Sequence, residues 1–143
     1  MRRREFLVAT LFAAIPANAL SEAATFAVGQ VWTLHPPLNP EARLRIGRME
    51  DNGATVHISL WGISVAEPGL PIASPFVAGH LPISAEALAQ SVDRLVNEPA
   101  PENLRFEEGY QTWRDAHGGV FTITVSEIVD AILQSARGLP RSG

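Results

Sequence analysis

Two histidines are the side chains of this sequence best suited to chemistry. His57 lies in a run of alternating residue types, and His80 follows a long segment rich in proline and glycine. Two imidazoles with an acidic third ligand can hold zinc, and an imidazole beside a carboxylate can transfer protons. However, no two histidines have the HxH or HxxxH spacing of ligands on one element. We therefore predict no metal site and no cofactor.

The other reactive residue types give no catalytic pattern. Glu107 and Glu108 are adjacent, but neighbouring helical residues point about 100° apart, and carboxylates are favoured at a helix start in any case. No serine has a G-x-S-x-G setting, and cysteine is absent. The sequence thus favours a protein without enzymatic activity but leaves the question open.

Three strands are predicted before the helices begin, over 25–34, 43–50 and 55–63. Asp51-Asn52-Gly53 is a hairpin signal. A three-residue loop that ends in Gly53 pairs Ile46 with Ile58 and collects the aliphatic side chains on one face. The opposite face then carries a mixed set of side chains: Arg43, Arg45, Met49, His57, Ser59 and Trp61.

The second half of the chain is predicted to be mainly helical. Helices are expected over 84–98 and 106–116, then a strand over 120–125 and a last helix that begins at Ser126 and ends near Gly138. The order βββ-αα-β-α predicts an α+β fold, in which a three-stranded meander and a fourth strand form a small antiparallel sheet. About three helices would pack on one face of it, in a single domain over 25–143.

The N-terminus predicts export. Arg3-Arg4-Glu5-Phe6-Leu7 resembles a twin-arginine signal, the apolar run behind it is too short to span a bilayer, and Ala17-Asn18-Ala19 has the form of a cleavage site. We expect residues 1–24 to be a signal peptide and the mature protein to be periplasmic, without a transmembrane segment. An ordinary Sec signal is the alternative.

The charges disfavour one class of partner. The chain has 11 basic and 15 acidic residues and a net charge of −4. Outside the predicted signal peptide, the basic residues form no patch beyond Arg43, Arg45 and Arg48. Because nucleic acid binding relies on clustered positive charge, we expect no nucleic acid partner.

Several segments resemble a known group of proteins. FAVGQVW, GATVHISLWG, HLPIS and EEGYQTWR are similar to segments of a family of small uncharacterised bacterial proteins, and the similarity spans most of residues 26–128. The resemblance implies one continuous domain. It implies no activity, ligand or catalytic residue.

The functional hypothesis concerns the face that bears His57. The apolar, proline-rich segment 65–82 is too long for a simple connector. We predict that it closes over this face and forms a ligand or partner site, with Met49 and Arg45 at the rim. The favoured function is a non-catalytic binding module; the alternative is a small envelope hydrolase or metal-dependent enzyme that uses His57 and His80 with a carboxylate. Alternatively, helices cover this face and make it a second core layer. The sequence favours neither possibility over the other. The predicted site residues are His57, Trp61, Phe76, His80 and Arg45.

Overall fold

The computed structural model describes residues 25–67 and 69–138. The predicted signal peptide lies outside these residues. Within the described ranges, none of the helices has the length and apolar character needed to cross a bilayer.

The fold is α+β, as predicted. One antiparallel sheet has the strand order β4-β3-β2-β1-β5, with five strands where four were predicted. The strands are β1 Val31–Leu34, β2 Arg43–Glu50, β3 Thr55–Ile63, β4 Phe76–Ser84 and β5 Val92–Val96. The helices are α1 Ala85–Ser91, α2 Phe106–Asp115 and α3 Val125–Arg137.

The β2–β3 hairpin confirms the predicted strands and the Ile46–Ile58 pairing but not the loop. Glu50 pairs with Thr55, so four residues connect the strands, and the register shifts between Ile46 and Arg48. The shift coincides with Gly47, where a Cβ would lie 2.5 Å from the Phe106 ring. Because of the bulge, the side chains at the end of β2 point to the opposite faces of the sheet from those predicted.

That change moves two side chains from their predicted faces. Met49 pairs with Val56 and packs against the aliphatic core, so its predicted place at the rim of the site is wrong. Arg48 pairs with His57, and the Glu50 side chain also reaches His57. A one-residue slip reverses every side chain beyond it, which is the physical reason for the difference.

Segment 65–82 is not one long loop. Its second part belongs to β4, which pairs along β3.

The helix predicted over 84–98 ends at Ser91, and β5 follows it. The free edge of β1 provides the competing partner: the Thr33 hydroxyl accepts a hydrogen bond from the Arg94 backbone N–H at 2.9 Å. Pairing with that edge outweighs the helical pattern.

The remaining differences concern the end of the chain. The strand predicted over 120–125 is reduced to one bridge, between Phe121 and Ile83. The last helix begins at Val125 and not at Ser126. Thr124 caps it in a reciprocal pair with Glu127. Ser84 caps α1 as predicted, by accepting from the Ala87 N–H at 3.2 Å.

The helices lie on both faces of the sheet, whereas all were predicted on one. Residues of α1 and α3, such as Leu88 and Ile128, share the aliphatic core with the sheet. In contrast, α2 covers the face that bears His57, where Tyr110 and Trp113 contact its ring.

Small residues allow α2 and the segment before it to approach the sheet closely. A Cβ at Gly109 of α2 would lie 2.7 Å from the Cβ of His80. A Cβ at Gly79 would collide with the carbonyl oxygen of Leu104. Glycine at both positions lets the backbones meet where any side chain would hold them apart.

Candidate functional site

A polar and aromatic cluster lies between the sheet and α2. We call it the histidine cluster; it consists of Glu50, His57, His80, Tyr110 and Trp113. Each strand from β2 to β4 contributes one polar residue, and α2 contributes the two aromatic residues. Tyr110 and Trp113 are three positions apart, so they share one helix face and together cover the imidazoles.

A chain of hydrogen bonds links the three titratable residues from the sheet. Glu50 Oε1 lies 3.1 Å from His57 Nε2. The other ring nitrogen of His57, Nδ1, lies 2.9 Å from His80 Nε2. His57 therefore uses both nitrogens inside the protein, and His80 has one nitrogen, Nδ1, left over.

Aromatic rings enclose this chain. His57 is fully buried, and its ring centroid lies 5.0 Å from that of Tyr110 and 4.6 Å from that of Trp113, both edge to face. The Phe106 ring approaches His80, with centroids 5.5 Å apart. Edge-to-face pairs at such separations are favourable beyond their buried area. This face of the sheet is thus a second core layer, one of the two alternatives left open by the sequence.

The carboxylate of Glu50 is held ionised by its neighbours. Tyr110 donates its hydroxyl proton to Oε2 of Glu50, and this bond is the main reason that the pKa of Glu50 is lowered; the bond to His57 adds to it. The same bond raises the pKa of Tyr110. Arg48 Nε lies 3.3 Å from Oε2, and the Arg48 guanidinium lies 4.4 Å from the Tyr110 ring centroid.

His80 is neutral at pH 7. Burial lowers its pKa to about 4, and repulsion from His57 acts in the same direction, while Glu50 opposes both. The positive form of a partly buried imidazole loses hydration that its protein neighbours do not replace. Above about pH 5, His80 therefore carries one ring proton and one free lone pair.

The chain of bonds fixes where those protons lie. A carboxylate only accepts, so His57 Nε2 carries the proton in the bond to Glu50. In the neutral form of His57, Nδ1 is then an acceptor, and His80 Nε2–H donates to it. His80 Nδ1 remains an acceptor, and no hydrogen bond reaches it from any residue of 25–67 or 69–138.

His80 also lines an open cleft of about 480 Å³. The segment that precedes α2 and the first turns of that helix form its other side, with Leu104, Arg105, Glu108 and Thr112. We call this the His80 cleft. Arg105 and Glu108 bind each other there, with Nε and Oε1 2.6 Å apart. The cleft thus contains a neutral hydrogen-bond acceptor, His80, next to an ion pair whose two charges neutralise each other.

Of the predicted site residues, the structure brings two together. His57 and His80 are hydrogen-bonded neighbours, as the hypothesis required. Phe76 pairs with Ile63 and packs against the aliphatic core, so its predicted place over His57 is wrong. Segment 65–82 does not close over this face; α2 does, with Tyr110 and Trp113 in contact with the His57 ring.

Trp61 and Arg45 lie apart from the histidine cluster. Trp61 pairs with Arg43 at the far end of β3, and the ring contacts of His57 are with His80, Tyr110 and Trp113 instead. Trp61 is therefore no part of the histidine cluster. Arg45 pairs with Ser59 and lines a different cleft.

Sequence reasoning missed Glu50, Tyr110 and Trp113 as site residues. A local signal existed only for Glu50. Gly47 inside a predicted strand indicates a bulge, which would have turned Glu50 to the His57 face. Tyr110 and Trp113 were recognised as one stripe, but the face on which their helix packs has no local signature.

The site has no arrangement suited to a metal ion. In the described part of the chain, no three or more histidine and acidic side chains converge in a way that could bind one. The geometry of the cluster gives the reason, because both nitrogens of His57 face hydrogen-bond partners within 3.1 Å.

Comparisons of the chain with protein-family models, with curated proteins and with solved structures give no match. The function is therefore inferred from the geometry of the site.

Proposed function

We propose that this protein is a non-catalytic binding module whose site is the His80 cleft. One observation carries the proposal: the chain of hydrogen bonds from Glu50 ends at His80 Nδ1, an acceptor without a protein partner in the described structure, in a residue that lines an open cleft. A ligand with an N–H or O–H donor fits this position. The buried chain behind it holds the ring in one orientation and one tautomer.

The pKa of His80 favours binding over catalysis. A general base works best when its pKa is near the working pH. With a pKa of about 4, His80 would accept a proton from water poorly at neutral pH. The nearby hydroxyls are also occupied: Ser59 donates to the Gly79 carbonyl at 2.7 Å, and Thr112 donates to the Glu108 carbonyl at 3.0 Å.

A second candidate is a small hydrolase that uses His80 as its base. The Glu50–His57–His80 chain favours it, because a proton taken from water at His80 Nδ1 could be balanced by transfer of the Nε2 proton to His57 and of the His57 Nε2 proton to Glu50. The hydroxide formed would attack the substrate carbonyl. This candidate needs the same cleft but predicts turnover.

A pair of matched probes tests the binding proposal. Acetamide donates hydrogen bonds, and N,N-dimethylacetamide does not. We expect acetamide to shift the ring ¹⁵N signals of His80 and its methylated analogue to leave them unchanged. The His80→Phe variant should lose the response, and His35→Gln, which alters an exposed histidine outside the cluster, should keep it. Equal responses to the two probes would contradict the proposal.

Ester hydrolysis separates the two candidates. With p-nitrophenyl acetate, the binding module predicts the same rate for the wild type and for His80→Phe. The hydrolase predicts at least a tenfold lower rate in the variant, within the roughly 10²–10⁴ expected for general base catalysis. Circular dichroism of both proteins controls for folding.

We also propose that the protein is exported to the periplasm by the twin-arginine route. The proposal rests on Arg3-Arg4-Glu5-Phe6-Leu7 and the Ala-x-Ala site that follows. Replacing Arg3 and Arg4 together by lysine keeps the positive charge and is expected to abolish export. The mature form is then measured in periplasmic fractions. Undiminished export of the double variant would assign the signal to the Sec route.

A further inference from the structure

A second cleft on the same sheet face contains an arginine without a partner. Arg45 of β2 is half-buried. In 25–67 and 69–138, no ion pair, hydrogen bond or ring contact involves its side chain. By contrast, Arg43, the other half-buried arginine of the described ranges, lies 3.0 Å from Glu98. A guanidinium is always charged and carries five donors, so partial burial without an acceptor is costly.

Arg45 lies in a small cleft of about 370 Å³ whose lining is more polar than apolar. Arg45 and Ser59 lie on the sheet side, and the other side is formed by Ala100, Pro101 and Leu104 of the segment before α2 and by Phe106 at the start of that helix. We call it the Arg45 cleft. Its volume falls in the range of small-molecule sites, about 300–1,000 Å³. Leu104 and Arg105 line both clefts, so this segment stands between them.

We propose that the Arg45 cleft binds a small organic monocarboxylate with an apolar body. The planar fork of a guanidinium matches a carboxylate through two parallel hydrogen bonds. The apolar side chains opposite Arg45 supply contact for the rest of such a molecule. The ligand carboxylate thereby accepts the hydrogen bonds of Arg45, for which the described residues provide no acceptor.

The other charges of the cleft limit the ligand to one negative charge. Arg105 is already neutralised by its two hydrogen bonds to Glu108. Glu102 also lines the cleft, is exposed, and forms no ion pair with Arg45. Glu102 repels a dianion more strongly than a singly charged carboxylate, because the repulsion grows with the charge of the ligand. Glu102 thus acts against inorganic phosphate and dicarboxylates.

An NMR titration with benzoate tests the proposal. We expect saturable shifts at the Arg45 Nε–H signal and at Phe106, with a Kd on the order of 1 mM or tighter. Arg45→Gln should weaken binding at least tenfold. Arg94→Gln, which alters an exposed arginine of β5, should bind as the wild type does. Glu102→Gln should bind benzoate more tightly.

Three results would overturn the proposal. The first is the absence of a saturable shift up to about 10 mM benzoate. The second is an unchanged affinity in Arg45→Gln, and the third is equal binding of benzamide, which has the same shape without the charge. Inorganic phosphate is expected not to bind. The acetamide response of His80 is recorded in the same samples, so failure at Arg45 is distinguishable from failure at the His80 cleft.

Discussion

Tyr110→Ala is expected to lower the free energy of unfolding by about 3–5 kcal/mol, the usual cost of removing a buried aromatic side chain. Tyr110 is buried, contacts the rings of His57 and His80, and donates its hydroxyl proton to Glu50. Its removal leaves a cavity beneath α2 and exposes the cluster to water. Urea unfolding measures the change.

Tyr110→Phe is the matched control. It retains the ring contacts and removes only the hydrogen bond to Glu50, so a smaller loss, of about 1–3 kcal/mol, is expected. Gln111→Ala, on the exposed side of the same helix, should change stability little. If Tyr110→Ala costs no more than Gln111→Ala, then α2 does not form a core layer with the sheet.

The second large effect is on the pH dependence of stability. The pKa of His80 falls from an ordinary 6.5 to about 4 on folding, so the unfolded chain binds more protons between these values. The contribution of His80 is fully present above pH 6.5 and is lost as the pH falls to 4. The full shift corresponds to roughly 3 kcal/mol, and we expect about 2 kcal/mol because His80 is partly exposed.

Glu50 acts in the same direction at lower pH. Its pKa is lowered from 4.5, mainly by the bond from Tyr110, so its contribution is present above pH 4.5 and is lost on further acidification. The measurement is urea unfolding at several pH values from 7 to 4. His80→Phe should flatten the curve between pH 6.5 and 4. The same slope in wild type and variant would show that His80 is not the group responsible.

The sequence predicts the local parts of this fold well. The bounds of β2 and β3, the Ile46–Ile58 pairing and the aromatic stripe of α2 all follow from periodicity, because alternation and helical spacing are local properties. β5 did not follow, since its conformation depends on the free edge of β1, some 60 positions earlier in the chain. Competition between a helix and a distant strand partner has no local signal.

The site was only half predictable for a related reason. His57 and His80 were chosen by chemistry, and the structure joins them through the pairing of β3 with β4. The carboxylate was not identified because the bulge at Gly47 reverses the end of β2. At that bulge the Phe106 ring of α2 packs so closely against Gly47 that a Cβ there would lie 2.5 Å from it. The identity of the covering element was likewise a tertiary property, and α2 took the place assigned to segment 65–82.

A chain of hydrogen bonds from Glu50 through His57 leaves His80 Nδ1 as an acceptor without a partner among the described residues, and the proposed function depends on this arrangement. Long-range ¹H–¹⁵N NMR of the histidine rings across a pH titration tests it most directly. We expect protonated Nε2 and unprotonated Nδ1 on His80 at pH 7, with the ring titrating at a pKa of about 4. A His80 ring that carries its proton on Nδ1, or that titrates near 6.5, would contradict it.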